Sequence, residues 1–295
     1  MRYAFSTQYV GKNYAGSQIQ FENGKEREFP TIQGEIEKAI CTLIYGSRCE
    51  IRKDLQECKA LEDETLRDRR CDQSDSEGNG AIFDCTGGNK RPIKTVFSGR
   101  TDRGVNALGQ VVHFDYDKDI VASDFVYHVN EILPSDISIS DLRKVPDDFH
   151  AQKSAIRRAY RFEFINRRYK QAFDGDLMRV KFGVNIERMN KSLSYLLGEH
   201  DFSSFKSSGT LNPSKVCILY RAEVRKEGDK VILDIEGNRF LYNMVRTIVG
   251  TLLRIEGHNL EPEHMREVLE AKDRRKAGQT VEPYGLTLMK VEYFH

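Results

Sequence analysis

At 295 residues the chain accommodates one large domain or two of ordinary size; 39% hydrophobic residues can fill a core, and 31% charged residues imply a heavily solvated surface. A net charge of +1 excludes a whole-chain electrostatic argument for a polyanionic partner, so only local clusters could support one. The cysteines at 41, 49, 58, 71, 85 and 217 include no CxxC pair, which argues against a zinc knuckle or a dithiol redox motif.

Reduced thiols in a cytoplasmic protein are the expectation, with disulfides inside the 41–85 region as the lesser alternative. The opening "MRYAFSTQYV" lacks the basic start and apolar run of a signal peptide. The longest apolar stretch, around 240–255, is interrupted by Asn243, Arg246 and Thr247 and should not span a membrane.

The opening decapeptide reads as a strand, and "GKNYAGSQ" as the loop after it. Thr31 then precedes "IQGEIEKAICTLIY", where Ile32, Ile36, Ile40 and Leu43 recur at helical spacing. Residues 46–92 read as an insertion: eleven acids and eight bases between Glu50 and Arg91 leave little apolar surface to offset ordering entropy. "TVFSGR" resumes strand structure and runs into a glycine loop, and "GQVVHFDYD" is expected to put Val112, Phe114 and Tyr116 on one face. "AYRFEFI" similarly puts Tyr160, Phe162 and Phe164 on a common face. Helix "ERMNKSLSYLLG" is expected to end at Gly198, strand "KVILDIEG" to lead into helix "FLYNMVRTIVGTLLRI", a short helix to follow near "PEHMREVLEAK", and "GLTLMKVEYF" to form the last strand. Strands and helices mix without strict βαβ alternation, so the fold class is α+β with antiparallel sheet.

Chemistry concentrates in "SGRTDRGVNALGQVVHFD". Asp102 stands between Arg100 and Arg103 in a glycine-rich loop, where the cations would keep it ionised as a nucleophile or base requires. A turn aspartate capping backbone N–H groups reads the same letters equally well. Arg246 lies in a helix apolar over most of its girth. It either pairs with a carboxylate or snorkels to the rim. The run "RRAYRFEFINRRYK" holds six basic residues and one acid among aromatics; it suits an RNA surface or an ordinary strand with a solvated face. "KDRRKAG" at 272–278 is a less specific cluster. No GxGxxG, P-loop, HExxH or GxSxG occurs, and the histidines show no metal-ligand spacing, so a cofactor-free, metal-free reaction built on a carboxylate is expected.

Together these segments resemble the TruA-type tRNA pseudouridine synthases. The central match is "GRTDRGVNALGQVVHF", and "TIQGEIEKAI", "LPSDISI", "VPDDFHAQKSA", "AYRF", "LLGEHDFSSF", "NMVRTIVGTLL" and "AKDRRKAG" followed by "GL" occur in the family's order. The resemblance implies that Asp102 is the nucleophile, that Tyr160 stacks on the target base and helps remove the C5 proton, and that Arg246 ion-pairs with the nucleophile. It also implies that Arg100 enters the space left by a flipped nucleotide, that Leu286 packs at the base pocket, and that Phe149, His150 and Lys153 of "FHAQK" contact RNA. The chain departs from the family at Val10 and Ser17, where an acid and an aromatic are usual, and at Arg103 and Asn106, where Ala and His are usual; Arg103 could add a phosphate contact.

The family's architecture implies two similar α+β halves, 1–145 with the nucleophile loop and 146–295 with the tyrosine and arginine, forming an extended antiparallel sheet with flanking helices and a central cleft. It further implies a homodimer acting on tRNA, with uridines 38–40 of the anticodon stem-loop as the targets. No membrane and no nucleotide cofactor enter this reading. Two competitors are a catalytically silent RNA-binding relative and a glycosidase-like hydrolase of free nucleosides.

Overall fold

The computed structural model describes residues 1–22, 25–26, 29–45, 93–207 and 214–294. The predicted insertion at 46–92, with Cys49, Cys58, Cys71 and Cys85, lies outside the described residues. Cys41 and Cys217 are buried. Residues 1–104 with 111–153 form one compact unit, and 105–110 with 154–295 form a second. Among the described residues no helix is long and apolar enough to cross a membrane.

In the first unit, β1 (Arg2–Tyr9) runs antiparallel to β6 (Ile137–Val145), with a register shift between Ala4 and Ser6. A short pair, β2 (Phe21–Glu22) with β3 (Lys25–Glu26), precedes α1 (Ile32–Tyr45), whose bounds are those read from the apolar spacing. Ile32, Ile36 and Ile40 are buried, as a helical stripe facing the core requires. Thr31 caps the helix, its Oγ1 accepting the Gly34 N–H at 3.1 Å. β4 (Thr95–Phe97) pairs antiparallel with β5 (Asn106–Asp115), Thr95 opposite Phe114. The buried Glu37 carboxylate fastens β4 to α1 by accepting from the Thr95 N–H at 2.8 Å and the Thr95 hydroxyl at 2.7 Å.

One expectation needs correction here: Tyr116 falls beyond the end of β5. Val111, Val112, His113 and Phe114 are all buried, so both faces of this part of the strand are covered. The second face is covered because the chain at 147–151 folds back over it, with the Ala151 N–H donating to His113 Nδ1. Helix α2 (Ala122–Ile132) was not foreseen, although Phe125, Val129 and Leu133, spaced by four and all buried, carry its signal. Its bulky Phe125 stacks on Phe114 at 5.8 Å.

In the second unit β7 (Ala155–Asn166) is central, antiparallel to both β12 (Leu286–Tyr293) and β11 (Lys230–Gly237). β10 (Val216–Glu227) pairs with β11 and with β9 (Gly198–Asp201). Two pairings are parallel: β8 (Arg179–Val180) with β7, and β12 with the first residues of β5. The helices are α3 (Ile186–Ser194), α4 (Met244–Gly257) and α5 (His264–Ala271). Their apolar faces join Phe162, Phe164, Val231, Leu233 and Ile235 in a core cluster. The unit is α+β, like the first.

Helix α3 stops at Ser194, four residues short of Gly198. Gly198, with φ of 93°, instead opens β9, so that Gly198–Asp201 can pair with Val216–Leu219. Helix α4 starts at Met244 and not at Phe240, because Asn243 takes the left-handed conformation at φ 62° and resets the chain direction just before it.

Candidate active site

Asp102 lies in the loop between β4 and β5, half-buried, and the opening loop after β1 holds it on both sides. The Ser17 N–H donates to Thr101 O at 3.0 Å, and the Thr101 N–H donates to Ser17 Oγ at 2.8 Å. Gly16 forms an antiparallel bridge with Asp102, and the Gly104 N–H reaches Gly11 O at 3.2 Å. The hydroxyls of Tyr9 and Thr101 hydrogen-bond at 2.8 Å. Helix α1 anchors this assembly in turn. Its Ile32 and Gln33 N–H groups, which have no acceptor within the helix, donate to Gly16 O and Ser17 O.

Gly16 is required at its position. Its φ is +126°, and a Cβ there would sit 2.9 Å from Thr101 O. Ser17 is fully buried and supplies the hydroxyl that accepts from the Thr101 N–H of the Asp102 loop. Nothing in the composition pointed to that bond; only the register of two distant loops reveals it.

The flanking cations differ. Arg100 is exposed, with no ion pair among the described residues. Arg103 is exposed too, its guanidinium carbon 5.1 Å from the Phe29 ring centroid. Val10, the other opening-loop departure, is 54% exposed and contributes nothing to the core.

Phe149 and His150 are half-buried and Lys153 is exposed, in a turn built by side chains of the same unit. Arg2 donates to the carbonyls of Asp147 and Phe149 at 2.7 and 2.8 Å while gripping Asp115 through two further bonds of 2.8 Å. His150 Nδ1 accepts the Gln152 and Lys153 N–H groups at 3.2 and 3.3 Å. His113 Nδ1 accepts the Ala151 N–H at 3.1 Å. Two imidazoles therefore satisfy three successive amides. His113 is 4% exposed, and burial above all, aided by the nearby charges of Arg2 and His150, pushes its pKa down to about 4. It stays neutral, which its acceptor role demands.

In the second unit Tyr160 is half-buried on β7, opposite Ile235 on one side and Leu288 on the other. Its ring meets Phe240 edge to face at 5.1 Å. Phe162 and Phe164, on the same face, are 0% and 1% exposed and are core residues, unavailable to stack on bases. Leu286 is 6% exposed, opposite Phe162, and belongs to the same cluster.

Arg246 is half-buried in the first turn of α4. Its Nε donates to Val281 O and its Nη1 to Asn243 Oδ1, both at 2.8 Å. Asn243 also donates through Nδ2 to Ser207 Oγ at 3.0 Å. The left-handed asparagine before the helix therefore aims the guanidinium, a part the sequence reading missed. Its signal was residue type: Asn is among the few side chains that visit that conformation readily. Asn106 donates to Tyr284 O at 3.3 Å, a structural contact.

The basic run of β7 is committed mostly to its own sheet. Arg157 faces Glu236 and Glu292 at 3.4 and 3.7 Å, Arg161 binds Asp234 at 2.7 Å, and Arg167 binds Asp174 and Asp229 at 2.5 and 2.8 Å. Arg158 serves the carbonyls of Ala155 and Asn238. For these four arginines the strand-pair reading holds over the RNA-surface reading. Within "KDRRKAG", Arg274 donates to Gly278 O and Thr280 Oγ1, and Arg275 pairs with Asp273, so this cluster shapes a turn.

A family model described as tRNA pseudouridine synthase matches residues 193–294. "tRNA pseudouridine synthase A" of Colwellia psychrerythraea is 33% identical over 294 residues, covering 99% of this chain and 94% of the relative. The protein of the same name from Thermoanaerobacter sp. is 39% identical over 202 residues, 68% of this chain and 83% of the relative. That of Bacillus subtilis is 38% identical over 205 residues, 69% of this chain and 83% of the relative.

Proposed function

The chain belongs to the tRNA pseudouridine synthase A family and isomerises uridine in tRNA, and on that premise we propose that Asp102 is the nucleophile, acting on a nucleotide flipped out of the anticodon stem-loop at positions 38–40. The carrying observation is the way the opening loop grips Thr101, Asp102 and Gly104 while Asp102 itself stays partly accessible. A turn aspartate that merely caps its own loop needs no such brace. A nucleophile does, because misplacement by an ångström is costly in rate.

The reaction breaks the uridine N1–C1′ bond, turns the base, and joins C5 to C1′. Base and sugar remain bound throughout, so neither an energy source nor a redox partner is consumed. The carboxylate acts at C1′, as in retaining glycosidases, or at C6 of the ring, and both routes need it ionised. Arg246 supplies the compensating charge in this reading, its fork oriented by Asn243 and Val281.

Extracting a stacked uridine costs a few kcal/mol. Stacking on Tyr160 returns about 1–3 kcal/mol, and phosphate contacts from Arg100, Arg103 and Lys153 contribute the remainder. Because the chain's net charge is only +1, a homodimer in which one tRNA meets two sets of basic residues suits the binding problem. The cytoplasm is the proposed compartment.

The test is conversion of an unmodified tRNA transcript, read by mass spectrometry after carbodiimide labelling. Asp102→Asn is expected to abolish product while keeping tRNA affinity within about threefold. Residual turnover in that variant would remove Asp102 from the chemistry. Tight binding without product in the parent chain would indicate a silent relative, and release of free uracil a hydrolase.

A further inference from the structure

We propose that Arg103 and Phe29 form a preset cation–π pair that presents the Arg103 guanidinium to an RNA phosphate beside the reacting nucleotide, with Phe29 as its positioning residue. The inference rests on the reading of Asp102 as nucleophile, since Arg103 is the next residue in the chain.

Phe29 is 57% exposed, so it contributes little to the core, yet its place is fixed. Its neighbour Pro30 accepts the Ala15 N–H at 2.9 Å, and Gly16, one residue further, is bridged to Asp102. The next turn repeats the tie, with the Ile32 N–H on Gly16 O. The backbone carrying Phe29 and the backbone carrying Asp102 are thus both fastened to residues 15–17. The guanidinium carbon of Arg103 lies 5.1 Å from the Phe29 ring centroid.

A guanidinium that stacks uses its π face. Its N–H donors point outward in the plane and remain able to grip a phosphate in a two-pronged manner. Arg103 has no carboxylate partner among the described residues, in contrast to Arg157, Arg161 and Arg167, whose charges are matched by carboxylates of their own unit. The stack also removes part of the rotamer freedom that a long exposed arginine otherwise loses on binding. The expected ligand is a phosphodiester of structured RNA, with the ring edge of Phe29 left to border an unstacked base.

The experiment measures the Kd of an unmodified tRNA transcript over a salt series, for the full chain and for R103A, R103K, F29A and R103A/F29A. R103A is expected to raise Kd about tenfold and KM with it, and to flatten the slope of log Kd against log salt by about one. R103K keeps the charge and so keeps the slope, but loses the stack. F29A is expected to weaken binding about threefold in the parent and not at all in the R103A background. Equal losses for F29A in every background, or an unchanged slope in R103A, would overturn the pair. If the parent chain binds and converts tRNA while those results fail, only the pair falls; if the parent converts nothing, the reading beneath it falls.

Discussion

Gly16 and Asp102 form an isolated antiparallel bridge, and Gly16 adopts a φ of +126° to make it. The bridge explains why an apparently featureless opening loop is held so firmly. A side chain at Gly16 would press on Thr101 O and would also occupy backbone space closed to most residues. Gly16→Ala is expected to lower stability by about 1–3 kcal/mol. Because the displaced atom neighbours Asp102, single-turnover pseudouridine formation should fall further than tRNA affinity does. Urea midpoints and rapid-quench rates check the two arms, and a variant with normal turnover would show that the bridge does not set the position of the carboxylate.

Tyr160 offers a separation of stacking from chemistry. Its ring touches Phe240 edge to face, a contact that Tyr160→Phe preserves, so stacking and with it tRNA affinity should change little. If the hydroxyl takes part in removing the C5 proton, the rate should fall by about two to four orders of magnitude, the size of a lost acid–base group. An assay with uridine deuterated at C5 would then show a larger isotope effect in the variant. A near-normal rate would restrict Tyr160 to stacking.

The parts of this protein that were legible before the structure are those written in local spacing. Helix α1 followed from isoleucines four apart and β7 from alternation. The loop between β4 and β5 was marked by Arg100, Asp102 and Arg103 standing among glycines. What stayed open depended on distant partners. Alternation gave Tyr160, Phe162 and Phe164 a common face without saying that three helices would cover it. The run with Arg157, Arg161 and Arg167 left an RNA surface and an ordinary strand both open, because the carboxylates that decide stand on β11, on β12 and outside the strands, up to 135 residues away in sequence. The hydroxyl of Ser17 and the lone pair of His113 were illegible for the same reason, their backbone partners being 84 and 38 residues distant.

Arg246 should not tolerate lysine. Two of its nitrogens donate in different directions, to Val281 O and Asn243 Oδ1, which a single ammonium on a flexible stem cannot reproduce. Arg246→Lys retains the charge, so a purely Coulombic role predicts a mild effect. The fork geometry predicts a loss of about 1–2 kcal/mol in stability from broken hydrogen bonds, with turnover down by at least about tenfold. Thermal melts and single-turnover rates on the same preparation distinguish the two, and full activity in the lysine variant would exclude orientation as the reason for an arginine.

His113 makes stability depend on pH in a window that can be stated in advance. Its folded-state pKa is lowered to about 4 from an ordinary 6.5, first by burial and then by Arg2 and His150, with Asp115 opposing. Between those two values the unfolded chain binds the proton and the folded chain does not, so stability rises with pH across the window and falls as acid is added. The contribution is fully present above about pH 6.5 and is lost on descent to about pH 4, amounting to about 3 kcal/mol for a shift of this size. His113→Asn offers a carbonyl oxygen that can still accept the Ala151 N–H but cannot titrate. Urea midpoints of the parent and variant, taken in half-unit steps from pH 4 to 7.5, should therefore coincide near neutrality and separate toward acid, the parent falling lower, if the asparagine packs equally; if it packs less well, the parent starts higher near neutrality and its lead shrinks toward acid. In either case their difference must carry the slope, because the carboxylates titrate alike in both. A difference independent of pH would mean that folding leaves the protonation of His113 unchanged.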